Sequence, residues 1–239
     1  MHMAEKLVII GNGMAPGRML ERLYETAPGK YDVTIFNAES RVNYDRILLS
    51  PVLSGEKSFE EIIIHGDGWY IERGITLYKS HKITKIDRDA RTVTSEHGEI
   101  AEYDRLIIAT GSQPIVIPVP GHRLAGVLTY RDLDDVHAMI LTAKGRGHAV
   151  VIGGGLLGLE AAAGLQMQGM QVTVLHLMPT LMERQLDSSA GYLLKKALED
   201  RGIRVITGAN TKEIIGEKKV EGVRLEDGTE LPADLVVMA

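Results

Sequence analysis

Ala149-Val150-Val151-Ile152-Gly153-Gly154-Gly155-Leu156-Leu157-Gly158-Leu159-Glu160 is the stretch that decides the fold. The apolar, β-branched run up to Ile152 reads as a buried strand, and an alanine-rich segment over 157–168 reads as a helix. Between them, Gly153, Gly155 and Gly158 have the spacing of a dinucleotide fingerprint. In that motif the first glycine makes the tight turn, the second lets backbone approach a pyrophosphate, and the third lets helix and strand pack closely. The phosphates then meet the amides at the helix N-terminus, here those of Leu156 and Leu157.

A second, imperfect copy opens the chain. Residues 7–10 are a strand-like run followed by Gly11-Asn12-Gly13, with Met14 and Ala15 placed to turn their amides toward a phosphate. The third glycine position holds Pro16, which the first helical turn tolerates because its missing N–H has no intrahelical partner there. Gly17 follows and is the candidate for the packing role. One glycine turn of this kind also serves purely structural ends in α/β domains. Two, each between a strand and a helix, point to two nucleotides with electrons passing between them.

The rest of the chain repeats around these turns. The first half reads as a strand at 6–10, a helix near 18–25 and a strand at 31–36. A polar loop follows, then helical patches near 59–63 and 68–73, strands at 75–78 and 82–86, a meander turning at Glu96-His97-Gly98, and an apolar strand at 106–109. The proline-spaced stretch 114–121 reads as a linker. The second half gives a helix at 133–144, strands at 148–152 and 171–176, a helix at 188–201 and a strand at 203–207. A second meander turns at Glu226-Asp227-Gly228 and leads into a strand at 235–239. Asp104-Arg105-Leu106-Ile107-Ile108-Ala109 and Asp234-Leu235-Val236-Val237-Met238-Ala239 align at a constant offset of 130 residues. Self-similarity of this kind marks a duplicated unit.

The expected fold class is therefore α/β: two Rossmann-like dinucleotide-binding domains, each three-layered, with a central parallel sheet and a β-meander. The expected division is 1–115 and 116–239. The first copy continues into Thr110-Gly111 where the second stops at Ala239, so the C-terminal part of the fold is expected to be missing from this sequence.

Composition narrows the chemistry. With 44% apolar and 25% charged residues, the chain is a folded globular protein, and its net charge of −5 gives no reason to expect nucleic acid or an anionic membrane as a partner. No apolar run reaches the ~20 residues of a membrane helix, and the N-terminus lacks a signal-peptide layout, so a cytoplasmic location is the default expectation. There is no cysteine, which removes disulfides, cysteine-ligated clusters and thiol nucleophiles. The eight histidines are scattered without a metal-binding spacing. Redox chemistry here must be carried by bound cofactors.

An acid at the end of the strand after each glycine-turn helix normally accepts ribose hydroxyls. In the first half the candidate is Glu39, which a solvated loop carboxylate would also explain. In the second half the place holds His176, which can bond a ribose hydroxyl or, protonated, a 2′-phosphate. NADH and NADPH both remain open.

Several pieces together carry a resemblance: Ile9-Ile10-Gly11-Asn12-Gly13-Met14, Tyr44-Asp45-Arg46 with Leu49-Ser50, Ala109-Thr110-Gly111-Ser112, residues 153–160 with Ala161-Ala162, and Leu181-Met182-Glu183-Arg184-Gln185-Leu186-Asp187. With these the chain resembles the flavoproteins of the pyridine nucleotide-disulfide oxidoreductase superfamily. Within them it is most similar to the N-terminal FAD/NAD(P)-binding region of assimilatory NAD(P)H-dependent nitrite reductase large subunits. The resemblance covers essentially the whole chain, though Asp187 would also serve as an ordinary helix N-cap.

The resemblance implies FAD in the first domain and NAD(P)H in the second. Gly11, Gly13, Met14 and Ala15 would hold the FAD pyrophosphate and Glu39 its ribose. Arg46 would lie along the cofactor, the main chain near Lys82 would meet the adenine, and Thr110 and Gly111 would close over the pyrophosphate. A surface pairing of Arg46 with Asp45 or Glu39 is the alternative. Gly153, Gly155, Leu156, Leu157, Gly158 and His176 would surround the second nucleotide, and Glu160 would orient its carboxamide, unless it only complements the helix dipole. Related ferredoxin reductases carry a lysine after the serine, where Pro51 stands here.

The implied activity is hydride transfer from NAD(P)H to FAD, then single electrons to an iron–sulfur or sirohaem acceptor, as in reduction of nitrite to ammonia. No side-chain acid, base or nucleophile is assigned. Implied partners are downstream redox domains or a small electron carrier, and a homodimer is left open. A stand-alone rubredoxin or ferredoxin reductase and a non-catalytic nucleotide-binding sensor are the competing readings. In the family a later segment completes the flavin site, so a chain ending at Ala239 is expected to hold FAD weakly or not at all.

Overall fold

The strand Glu5–Ile10 (β1) is apolar at four consecutive positions, Leu7 to Ile10, and all four are buried. A strand with that pattern must be covered on both faces. Leu7 and Ile9 pack with Leu20, Val33, Ile35 and Tyr70 on one side, while Val8 and Ile10 pack with Phe36 and Val93 on the other. The computed structural model, which describes residues 4–239, thus builds helix, sheet and meander as three layers.

The chain divides into two compact units: the described residues up to Arg46 with Phe59–Ser112, and Ile47–Ser58 with Gln113–Ala239. In the first, β1 leads to α1 (Met14–Thr26) and β2 (Tyr31–Phe36), and a short β3 (Asn43–Tyr44) follows. The chain then makes α2 (Leu49–Ser54), which belongs to the second unit, and returns as β4 (Ile63–His65) to pair with β3. Next come α3 (Asp67–Glu72), β5 (Thr76–Tyr78), the meander β6 (Ile83–Asp87), β7 (Thr92–Ser95) and β8 (Ile100–Glu102), and finally β9 (Arg105–Ile108). The main sheet is parallel, in the order β5-β2-β1-β9.

The second unit repeats the plan. After a three-residue strand β10 (Val127–Thr129) come α4 (Leu133–Ala143), β11 (His148–Ile152), α5 (Leu156–Met167), β12 (Gln171–His176), α6 (Ser188–Glu199) and β13 (Arg204–Thr207). The meander β14 (Thr211–Ile215), β15 (Gly222–Leu225) and β16 (Glu230–Pro232) leads into β17 (Leu235–Met238). Its parallel sheet runs β10-β17-β11-β12-β13, so β13-β12-β11-β17 retraces β5-β2-β1-β9. Val150, Leu175, Val236 and Met238 face the meander residues Ile214, Val223, Leu225 and Leu231. No helix among the described residues is long and apolar enough to cross a membrane.

Three of the local features that differ from the sequence reading have a plain physical cause. The helix expected near 18–25 begins at Met14, because Pro16 sits in its first turn where no N–H is needed. The polar loop expected after β2 contains α2, with Pro51 again in the first turn and Gly55 closing it at φ +86°. That helix groups with the second unit for a packing reason. Leu53 is fully buried, a Cβ on Gly164 of α5 would lie 2.7 Å from its Cγ, and Gln168 Nε2 donates to the Leu53 carbonyl at 2.8 Å. The third is β10, too short to show a period in sequence, which forms only because β17 offers a free edge.

Candidate functional site

The two glycine turns are built alike. Gly11 has φ +103°, and a Cβ there would sit 2.3 Å from the Ala109 carbonyl oxygen at the end of β9. Gly153 has φ +133°, and its Cβ would sit 2.1 Å from the oxygen of Ala239, just past β17. Only glycine fits either place. The pair Ala109 and Ala239, related by the 130-residue repeat, thus closes the same turn twice.

The second glycine of each turn behaves in the opposite way. Gly13 and Gly155 have ordinary extended backbones, and a Cβ on either would meet nothing within 4 Å. The space that a side chain would fill is open beside the first amides of α1 and α5. Those amides also have no side-chain cap from the protein, and neither helix has an acid in its first turn. By contrast, α4 has a complete capping box from Asp132 and Asp135, and α6 is capped by Asp187, which accepts from the Ala190 N–H at 2.8 Å. Four N–H groups at a helix start need partners, and the helix dipole makes an anion the favoured one. The residues present therefore fit a pyrophosphate at each turn.

The third positions diverge. A Cβ on Gly158 would lie 2.1 Å from the Gly153 oxygen, so its hydrogen is what allows α5 to sit on the turn. In the first unit Gly17 is close-packed against Asn43, whose amide nitrogen would be 3.0 Å from a Cβ there. Asn43 Nδ2 donates to the carbonyls of Asn12 and Gly13 at 2.9 and 2.6 Å and so holds the turn. Tyr70 OH donates to Asn12 Oδ1 at 3.1 Å. Asn12 Nδ2 and Asn43 Oδ1 remain buried without a partner, an unmet donor and acceptor at the turn itself. In sequence Asn12 lies within the glycine turn, but the motif gives neither asparagine a role. Asn43 immediately precedes Tyr44-Asp45-Arg46, and that adjacency was the available signal.

Glu39 follows β2 and is three-quarters covered. Its carboxylate accepts from Tyr44 OH at 2.7 Å and pairs with Arg46, whose guanidinium lies 5.0 Å from the Tyr44 ring centroid. The Arg46–Glu39 pairing is the alternative weighed above. It orients Glu39 and leaves acceptor capacity, since a carboxylate offers about four lone-pair sites. The main chain of Lys82 is engaged on both sides: its N–H donates to Glu96 Oε1 at 3.2 Å and its carbonyl accepts from the Glu96 N–H at 2.8 Å. That arrangement commits the Lys82 N–H and one of the two lone pairs of its carbonyl within the protein. Thr110 and Gly111 lie exposed directly after β9, Gly111 at φ +75°.

His176 does not present itself to a ligand as expected. It is 9% exposed, its Nδ1 accepts from the Gly154 N–H at 3.1 Å, and its Nε2 lies 3.0 Å from both the Thr180 oxygen and Glu183 Oε2. A ring with both nitrogens engaged this way is a structural brace.

Glu160, on the second turn of α5, accepts from Ser50 Oγ at 2.5 Å, and Ser50 Oγ is 2.9 Å from Tyr130 OH. Burial pushes the Tyr130 hydroxyl up to about 12, so it stays protonated and available as a donor. All three residues belong to the second unit. The hydrogen-bond partner of Glu160 is thus the neutral Ser50 hydroxyl, which is itself bonded to Tyr130.

Residues 5–239 match the family model described as pyridine nucleotide-disulphide oxidoreductase. The chain is 47% identical over 235 residues to a nitrite reductase [NAD(P)H] of Bacillus subtilis, covering 98% of this chain and 29% of that protein. It is 41% identical, with 98% and 30% covered, to the assimilatory nitrate reductase electron transfer subunit of the same organism. The chain thus spans less than a third of the length of these two relatives. Among solved structures, putidaredoxin reductase in its covalent complex with putidaredoxin superposes with a TM-score of 0.90 at 27% identity, covering 98% of this chain and 58% of that one. A ferredoxin reductase from Rhodopseudomonas palustris superposes with the same TM-score at 30% identity, covering 98% and 58%.

Proposed function

This chain belongs to the pyridine nucleotide-disulphide oxidoreductase family, and on that basis we propose that it is a flavin-dependent NAD(P)H-oxidising module of a larger reductase. FAD is assigned to the first unit and NAD(P)H to the second. The observation that carries the reading is the pair of uncapped helix starts, each beside a glycine whose missing side chain leaves open space.

When bound, the nicotinamide supplies a hydride and the flavin accepts it and passes electrons on singly; the protein supplies binding, orientation and electrostatics. In the first unit, the amides of Met14 and Ala15 face the anion while Asn43 fixes the turn that aims them. Glu39, braced by Tyr44 and Arg46, accepts ribose hydroxyls. In the second unit, the Leu156 and Leu157 amides take the second pyrophosphate, and the exposed side chains of these leucines shield it from water. Ser50 and Tyr130 hold the Glu160 carboxylate in one orientation, from which it accepts the carboxamide N–H. The chain has no cysteine, so no dithiol takes part within it.

For the acceptor, the high identity to a nitrite reductase supports an iron–sulfur or sirohaem centre elsewhere in a longer protein, with nitrite as terminal substrate. Kinship to the ferredoxin reductase component of chlorobenzene dioxygenase, 32% identical over 97% of this chain, favours a separate iron–sulfur carrier as the second reading. The test is anaerobic titration with NADH or NADPH in the presence of excess FAD. Bleaching of the flavin is expected. Failure to bind either nicotinamide nucleotide by calorimetry would refute the assignment of the second unit.

A further inference from the structure

The second turn lacks the strand-end acid that ribose hydroxyls normally meet, because His176 occupies that place. We infer that Glu183 supplies the carboxylate from the adjoining loop, presented by His176, and that it makes the second unit select NADH over NADPH. The inference rests on reading that turn as a nicotinamide nucleotide site.

The geometry ties Glu183 to the turn through one imidazole. Gly154 N–H donates to His176 Nδ1, so Nδ1 is the acceptor and Nε2 bears the hydrogen. Nε2–H is then shared between the Thr180 carbonyl and Glu183 Oε2, both at 3.0 Å. The same loop is clamped from a second side. Met182 N–H donates to the Gly154 carbonyl at 3.0 Å, and Leu181 packs where a Gly154 side chain would be. Met182 takes φ +50°, which turns the chain so that Glu183 points back at the histidine. The loop, the histidine and the central residue of the glycine turn are thus joined by hydrogen bonds on two sides.

Exposure separates the two candidates. His176 is 9% exposed with both nitrogens engaged, whereas the Glu183 side chain is 33% exposed. His176 occupies one lone pair of a group that has about four, so acceptor sites remain for a vicinal diol. Leu177 and Met178, 62% and 43% exposed, follow β12 directly and give a bare apolar surface of the kind an adenine ring covers.

The charge balance favours the diol. The backbone amide of Glu183 and the His176 donor keep its carboxyl below the usual carboxylate range, so it is ionised at neutral pH. A 2′-phosphate would bring about two further negative charges against it. Arg184 is the cation beside it, and it also favours the ionised carboxylate. Arg184 is exposed, so recruiting it to a phosphate would cost rotamer freedom that the braced Glu183 has already lost.

The experiment is calorimetric titration of NADH and NADPH into the protein and into the variants E183Q and R184A, at one ionic strength, with melting curves for each. The wild type is expected to bind NADH at least about tenfold more tightly than NADPH. E183Q keeps an oxygen to accept from His176, so its melting temperature should hold while the NADH/NADPH ratio falls by about tenfold toward one. R184A should retain the preference. Equal affinities in the wild type, or an unchanged ratio in E183Q, overturn the inference while leaving the nucleotide site standing. Binding of neither nucleotide overturns both.

Discussion

Two alanine substitutions three residues apart separate what the second glycine turn does for folding from what it does for a ligand. In G158A the new Cβ would stand 2.1 Å from the Gly153 carbonyl oxygen and 2.9 Å from its carbon. A relaxed carbon–oxygen contact is about 3.3 Å or more, so α5 must back away by about 1 Å. The obstacle is backbone within a turn already fixed by Gly153 against Ala239, so no side chain can rotate aside. Over-packing of this kind costs about 1–3 kcal/mol, and the better helix propensity of alanine returns at most about 1 kcal/mol. The expected net loss is about 1–2 kcal/mol, or roughly 2–8 °C in melting temperature for a chain of this size. In G155A the backbone is already extended and the Cβ meets nothing. The modest N-cap penalty and the reduced entropy of the unfolded chain offset each other, so stability should stay within about 0.5 kcal/mol. Yet the methyl occupies the space assigned to the pyrophosphate, and NADH affinity should drop about tenfold or more. Thermal melts and NADH calorimetry on both variants read the two effects. A G155A protein as unstable as G158A, or one that binds NADH normally, would refute the division of roles.

Removing the Asp132 side chain (D132A) deprives the Asp134 and Asp135 amides of their 3.0 Å acceptor and should cost about 1 kcal/mol, measured by urea unfolding. N43A takes away the donor to the Asn12 and Gly13 carbonyls; a loss of about 2–3 kcal/mol is expected, together with weaker FAD binding. Because the folded pKa of Tyr130 is raised from 10 to about 12, its contribution to stability is whole below pH 10 and disappears as pH climbs through 12. The full difference is about 3 kcal/mol, and Y130F should flatten that part of the alkaline decline when unfolding is compared at pH 8 and pH 11. An unchanged alkaline slope in Y130F would show that Tyr130 titrates elsewhere. E160Q keeps an oxygen for the Ser50 hydroxyl, so its melting temperature should hold while NADH-driven flavin reduction slows by about tenfold.

How much of this was legible in the chain differs by element. The two strand–glycine–helix turns and the 130-residue repeat were readable because they rest on local facts. Glycine is needed where φ is positive, apolar runs need burial on two faces, and proline is tolerated in a first helical turn. The sites built across long sequence separations were not. Ser50 joins Glu160 over 110 residues, and Asn43 reaches Asn12 over 31, through folding that no period in the sequence announces.

His176 shows the limit most directly. Its position at the end of β12 identified it as the residue standing in the acid's place, and the sequence alone determined that much. Whether its nitrogens face a ligand or the protein depends on where the loop after β12 comes back; Met182 bonds that loop to Gly154, and the Thr180 carbonyl bonds it to His176 itself. Position along the chain set which residues border each turn. Hydrogen-bond saturation, a property of the folded neighbourhood, decided which of their polar groups the protein itself engages.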